Sequence, residues 1–394
     1  MKHSVVMKFG GSSLATLDKI QNVARIIKQK KQEYENVVVV VSAMGNSTSE
    51  LIHKAQGISK NPSQREMDVL LASGEQVSIA LLAIALEAID QKALSLTGWQ
   101  VGIKTYGTHT KQRIASIDTQ RIQEALGQSA VVIVAGFQGV DSQNDISTLG
   151  RGGSDTSAVA LACALQYECE IYTDVDGIYT VDPRIHKKAR KLKTLSYEET
   201  MEMANLGAKV LEPRSVELAS RYKVPISILL NSADTPGTTI KEQTDMMEEN
   251  TITNVSVMGD VVLINIDTVK EQDFNVADFF IQLANKGISV DVISQTYKED
   301  LSFTIVRDDM VRTQVLMDLL NITNYHLKDD VIKVSVIGNA MRNQPGVAAS
   351  VFKVFVDEDI KFYQVSTSEI SISYIVDAEV KNRIVLALAN QFEL

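Results

Sequence analysis

Val5-Val6-Met7-Lys8-Phe9-Gly10-Gly11-Ser12-Ser13 runs from an apolar strand into a glycine loop, and a helical stretch, Ile20–Tyr34, follows soon after. Strand, glycine turn and helix in that order predict an open α/β sheet with ligands at the carboxyl ends of its strands. Lys8 stands near such an end. Gly10 and Gly11 permit close backbone approach, and Ser12 or Ser13 can donate to a phosphate. The spacing is neither the Walker A pattern nor a full dinucleotide fingerprint, so P-loop and NAD readings lose ground. The plain alternative is a tight turn with an exposed lysine.

Working outward, Val37–Val41 shows no alternation, the pattern of a central strand buried on both faces. The strands expected are Ser4–Lys8, Val37–Ser42, Val131–Gly136, Glu170–Thr173 and Ile226–Leu229. A helix is expected over Gln76–Ala88, with Gly74 and Glu75 standing just before it. This alternation up to about residue 240 predicts an α/β layer fold. The texture then changes across Asn231–Glu249, a Pro/Gly-containing and then acidic stretch that marks a domain boundary. Beyond it a strand–helix–strand–strand pattern occurs twice. The first pass is Val261–Ile266, Val276–Lys286, Ile288–Ser294 and Ser302–Val306; the second is Ile332–Ile337, Val347–Asp357, Ile360–Ser366 and Ser371–Val376. This reads as an internal repeat.

A second glycine loop, Thr148-Leu149-Gly150-Arg151-Gly152-Gly153-Ser154-Asp155-Thr156-Ser157, precedes the apolar helical run Ala158–Leu165. Backbone N–H groups there, with the helix N-terminus behind them, suit an anion. Arg151 can hold a carboxylate or phosphate through two parallel hydrogen bonds. As an ordinary turn, the same stretch would be capped by Ser154 or Asp155. A third loop, Ile171–Arg184, gathers Tyr172, Asp174, Asp176, Tyr179, Asp182 and Arg184, a mixture suited to a nucleotide, although Asp176 reads as part of an Asp-Gly turn. Lys209 sits beside a small-residue turn. Lys8, Arg151, Arg184 and Lys209 are thus loop cations in a chain of net charge −10. Phosphoryl transfer calls for this arrangement, because charge stabilisation dominates its catalysis.

Composition excludes several classes. A chain of 394 residues, 45% hydrophobic and 22% charged, has the make-up of a soluble globular protein of two or three domains. No 18-residue apolar run is read, so no membrane span or membrane partner is expected, and the N-terminus lacks the form of a signal peptide. The acidic balance argues against nucleic acid. Cys163 and Cys169 are too few for a disulfide framework or a zinc site, and a cytoplasmic location fits. Cys163 is read as a buried helix residue, and His53 and His109 as surface residues.

Together the segments Lys8–Ser13, Val41–Gly45, Ala72–Glu75, Gly136–Gly139, Thr148–Ser157 and Tyr172–Arg184, with Ser366–Ser373 in the tail, resemble the aspartate kinases of the amino-acid kinase family over essentially the whole chain. The resemblance implies an αβα-sandwich catalytic domain with a mainly parallel sheet over 1–243. Two intertwined βαββ, ferredoxin-like ACT domains would follow over 244–394, the first about 261–328 and the second about 251–257 plus 331–394.

The implied reaction takes ATP and L-aspartate to ADP and 4-phospho-L-aspartate, opening lysine, threonine, methionine and diaminopimelate biosynthesis. The nucleophile would be the substrate's own β-carboxylate, ionised at pH 7, so no general base is required. By the resemblance Lys8 bridges the transferring group, Asp155 orients the cations and Arg151 clamps a substrate carboxylate. Glu75 pairs with the α-ammonium, while Ser42, Thr48 and Ser154 line the aspartate pocket. ATP would be held by Lys8, Phe9, Gly10, Gly11, Thr173, Asp174, Tyr179, Arg184, Lys209 and Val210. Mg²⁺ would ride mainly on the ATP phosphates, with no protein metal site.

Lysine, threonine, both or neither would act at the ACT interface, and a homodimer or homotetramer would form there. The first ACT turn, Asp267–Asn275, lacks the family's Pro-Gly, whereas Gln344-Pro345-Gly346-Val347 keeps it, and Gly338-Asn339-Ala340-Met341 stands for the usual Gly-Ala-Gly-Met. An internal start at Met246 or Met247 would give a separate small subunit; two ordinary linker methionines is the plainer reading. Rival readings are another amino-acid kinase, disfavoured by Glu75 and the Arg151 loop, and a non-catalytic amino-acid sensor, disfavoured by the intact kinase loops.

Overall fold

The computed structural model describes residues 4–208, 211–231, 235–242, 252–268, 274–295, 300–338 and 346–394. Lys209, Val210, Met246, Met247, Thr251, Asn339, Ala340, Met341, Gln344 and Pro345, all singled out above, lie outside the described residues. The chain forms two compact units. One comprises 1–178, 191–204 and 209–245; the other comprises 179–190, 205–208 and 246–394.

The strands of the first unit are β1 (Ser4–Phe9), β2 (Asn36–Val41), β3 (Ala93–Leu96), β4 (Ile103–Tyr106), β5 (Arg113–Ile117), β6 (Val131–Ala135), β7 (Gln138–Val140), β8 (Ile146–Thr148), β9 (Glu168–Thr173), β10 (Thr194–Leu195), β11 (Ile226–Leu230) and β12 (Thr238–Ile240). Its helices are α1 (Leu17–Glu33), α2 (Ser47–Ile58), α3 (Gln64–Glu87), α4 (Gln120–Gly127), α5 (Gly153–Leu165), α6 (Tyr197–Asn205) and α7 (Pro213–Tyr222). An eight-stranded sheet runs β10-β12-β11-β9-β1-β2-β6-β3, and a smaller one runs β5-β4-β7-β8. From β11 to β3 every pair is parallel.

β1 lies between β2 and β9, so the chain turns in opposite directions on its two sides. That is the switch point where an open α/β sheet leaves a crevice. The valines of β2 are wholly buried, and each contributes about 1.5–3 kcal/mol of apolar transfer free energy. Alternation along β1 then sorts its side chains. Val5, Met7 and Phe9 enter the core shared with α1 and α3. Val6 and Lys8 face the other layer, where α5 packs on β1 and β2. α5 is apolar all round, as suits a helix with covered flanks. Cys163 is buried there as expected, and burial pushes its thiol up to about 12.

The expected break before Gln76 is absent. Gly74 and Glu75 lie inside the continuous helix α3. A Cβ on Gly74 would come 2.8 Å from Ala43 Cβ, so close helix-to-loop contact requires the glycine and overrides its poor helix propensity. α3 also has the length and hydropathy of a membrane span, contrary to the sequence reading, yet buries Asp68 and Glu75 in this unit. It is the core helix of a layered fold.

The second unit continues with β13 (Asn254–Asp267), α8 (Val276–Asn285), β14 (Val290–Gln295), β15 (Asp300–Val306), α9 (Met310–Leu319), β16 (Tyr325–Ile337), α10 (Val347–Asp357), β17 (Gln364–Thr367), β18 (Ser371–Asp377) and α11 (Lys381–Gln391). Its antiparallel sheet is ordered β14-β15-β13-β16-β18-β17. β13 serves both repeats. Asn254–Met258 pairs with Lys333–Ile337, and beyond a register shift Val261–Ile266 pairs with β15 and the first half of β16. One core gathers Val262, Ile264, Phe279 and Phe303; another gathers Val334, Val351, Phe355, Tyr374 and Ile384 together with Val181. Residues 179–190 are bound in by Val255 N–H donating to Thr180 O at 2.9 Å. Each repeat carries an additional helix, α9 or α11, that the sequence reading left out.

Candidate active site

β1 ends at the first glycine loop. Ser42 N–H donates to Phe9 O and Gly45 N–H to Gly11 O, so this loop and the one after β2 are laced together. A Cβ on Gly11 would lie 2.7 Å from Ala43 O, which leaves no room for any other residue. Lys8 Nζ lies 2.6 Å from Asp155 Oδ1, with both side chains mostly shielded. The ammonium also hangs over Gly10, where an added Cβ would be 3.4 Å away. Asp155 is in the first turn of α5, where the helix dipole favours a carboxylate. It is not the cap. Gly152 occupies that position at φ +66°, with no side-chain cap, and Ser154 is buried in the first turn. Both expected capping residues are therefore displaced inward by the left-handed glycine.

Glu75 is 3% exposed. Its Oε1 accepts Ala43 N–H at 3.0 Å, while Oε2 has no hydrogen-bond partner among the described residues. Burial pushes its carboxyl up to about 7, and the Ala43 N–H draws it partly back. A buried carboxylate with an unmet oxygen is costly unless a cation arrives.

Seven residues earlier, and so on the same face of α3, Asp68 is wholly buried. It accepts from His109, Thr110 N–H and the Thr148 hydroxyl. His109 is therefore not the surface residue expected, whereas His53 is exposed. Arg214 donates to Leu149 O and Gln112 O, fixing the base of the second glycine loop from α7. Arg151 projects from that loop, exposed. Burial raises the carboxyl of nearby Glu212, Arg214 lowers it, Asp155 raises it and Arg151 lowers it.

Thr173, at the end of β9, accepts Asn231 N–H through its carbonyl, and the Asn231 amide donates to Ser13 Oγ at 2.8 Å. Thus Lys8, Gly10, Gly11, Ser42, Glu75, Ser154, Asp155 and Thr173 come together at the carboxyl ends of β1, β2, β6 and β9. Phe9 does not offer its ring, which is buried and stacked on Tyr172 at 4.6 Å. Thr48 lies half-buried in the first turn of α2, and Asp174 is exposed. Tyr179 and Arg184 belong to the other unit, where Arg184 forks onto Asp182 at 2.7 Å. Sequence reasoning missed Asp68, Asn231 and Arg214. For Asp68 the signal was its seven-residue spacing from Glu75, hidden by the expected helix break.

A cation at the switch point, two glycine loops and a buried carboxylate with an unmet oxygen are the parts that a phosphotransferase site calls for. The amino acid kinase family model matches residues 4–229, and an ACT domain model matches 334–392. The aspartokinase of Geobacillus stearothermophilus is 47% identical over 95% of this chain and 93% of its own length. Aspartokinase 2 of Bacillus subtilis is 43% identical over 99% and 98%. The crystal structure of E. coli aspartokinase III in complex with aspartate and ADP superposes with a TM-score of 0.84, at 24% identity and full coverage of both chains, which speaks to the fold. The chain belongs to the aspartokinases of the amino acid kinase family.

Proposed function

We propose that the protein transfers the γ-phosphoryl group of ATP to the β-carboxylate of L-aspartate, giving 4-phospho-L-aspartate and ADP. The carrying observation is the buried Glu75 carboxylate, whose unmet oxygen suits an α-ammonium. A carboxylate oxygen forms the new P–O bond as the bond to the β-phosphate oxygen breaks, and no proton moves. The protein's task is to suppress repulsion between two anions. Lys8 meets the transferring group, and Asp155 holds the ammonium in place until substrate arrives. Gly10, Gly11 and the start of α5 turn backbone donors toward phosphate, and Arg151 takes a substrate carboxylate with Ser42, Thr48 and Ser154 around it. Thr173, Asp174, Lys209 and Val210 serve the nucleotide. Mg²⁺ travels with the ATP phosphates and supplies charge neutralisation there.

The catalytic part is taken as 1–243 apart from 179–190 and 205–208, which belong with the ACT part over 244–394 in place of the single boundary expected, with an amino acid, lysine first, as the effector. Assembly through the ACT domains is supported by apolar residues open on their helices, such as Leu319 and Val356. A cytoplasmic setting suits these substrates. The test is aspartate-dependent ADP release with the acyl phosphate trapped by hydroxylamine. Lys8→Ala should lower kcat by about 10²–10³-fold, the cost of one preorganised charge, with little change in ATP binding. Near wild-type turnover in that variant, or product from glutamate in place of aspartate, would sink the assignment.

A further inference from the structure

Arg151, for all its assigned work, makes no ion pair among the described residues and stands exposed, so its aim depends on the loop beneath it. The base of that loop is held by Arg214 from α7 and, independently, by one carboxylate from α3. Asp68 Oδ2 lies 2.6 Å from His109 Nδ1, Asp68 Oδ1 accepts Thr110 N–H at 3.0 Å, and the Thr148 hydroxyl donates to the same oxygen. With the Nδ1–H tautomer of His109, all three groups donate to the Asp68 carboxyl oxygens. Gln112 N–H then donates to Thr148 O at 3.0 Å, tying the 109–112 segment to the strand that enters the loop. A wholly buried carboxylate is expensive unless its oxygens are met, and here three donors from two segments meet them. Asp68 rides on the helix that carries Glu75, so one rigid element carries the binding site for the substrate ammonium and fixes the base of the loop that presents Arg151.

We propose that Asp68 and His109 are positioning residues that aim Arg151 at the carboxylate of L-aspartate, and that they act on aspartate rather than on ATP. This rests on the reading of Arg151 as a substrate clamp. Misplacing such a group by about 1 Å costs up to about 10²-fold.

The experiment is steady-state kinetics on the full chain with His109→Asn, His109→Gln, Arg151→Lys and the combined His109→Gln/Arg151→Lys. An asparagine amide reproduces the Nδ1–H donor; a glutamine amide shifts it outward. His109→Gln should raise KM for aspartate about tenfold or more and leave KM for ATP within about twofold, while His109→Asn stays close to wild type. The combined variant should fall short of the product of the two single effects, because both act through one guanidinium. Should His109→Gln fail to fold, Thr148→Val and Thr148→Ser put the same question, with the serine retaining the donor to Asp68. Equal KM values for the asparagine and glutamine variants, a parallel rise in KM for ATP, or independent effects in the combined variant would overturn the proposal. An unchanged aspartate KM in Arg151→Lys alone would overturn the clamp reading, and the positioning role with it.

Discussion

On the function proposed above, Glu75 couples substrate recognition to pH. Its carboxyl stands at about 7 in the folded chain against an ordinary 4.5, because burial disfavours the charged form. Between those values the folded chain holds a proton that the unfolded chain has released. Stability therefore falls as pH rises through this window, by about 3 kcal/mol in all. A substrate ammonium needs the ionised form, so kcat/KM for aspartate should fall about tenfold per unit below pH 7. Glu75→Gln should flatten both profiles while lowering activity throughout. Thermal melts and initial rates from pH 5 to 8 check this, and an unchanged rate profile in the glutamine variant would contradict it.

At the scale of the element, α3 carries the design. Its glycine is destabilising in isolation by about 1 kcal/mol relative to alanine, so Gly74→Ala would strengthen a free helix. In the folded chain the new methyl meets Ala43 Cβ and forces α3 from the loop that Glu75 anchors. Gly74→Ala should therefore lower the melting temperature and raise KM for aspartate about tenfold or more, read by calorimetry and initial rates. A stabilised, fully active variant would show that the contact is slack.

The same helix shows what was legible in advance. Val37–Val41 and the Lys8 loop announced the parallel sheet and its switch point, because unbroken apolar runs and glycine turns are local signals. Asp68 and His109 were illegible. Their partnership joins residues far apart in sequence, and a glycine that looked like a helix break concealed the shared face. The place of the Phe9 ring was illegible for a related reason, since strand alternation, rather than motif membership, sent it into the core.

At the scale of the whole molecule, two units with separate cores should unfold in two steps rather than one. ATP with aspartate should raise the transition of the unit that contains Lys8, by about 2.7 kcal/mol at a hundred times Kd. Lysine or threonine, titrated singly, should raise the other and lower activity if it is the effector. Scanning calorimetry distinguishes this from a single transition that every ligand moves alike, an outcome that would reject independent ligand sites.

Residues 179–190 leave the ribosome well before the strands they complete. Thr180 waits for Val255, and Val181 for a core that includes Val351 and Ile384. Completion of the second unit therefore depends on a segment that precedes its strands in the chain by more than sixty residues. A polypeptide begun after Arg190, at Met246 for instance, would lack this piece, and Asn254 and Val255 would lose their partners Tyr179 and Thr180. Such a fragment would reach its full stability only beside a longer chain that offers the missing segment in trans.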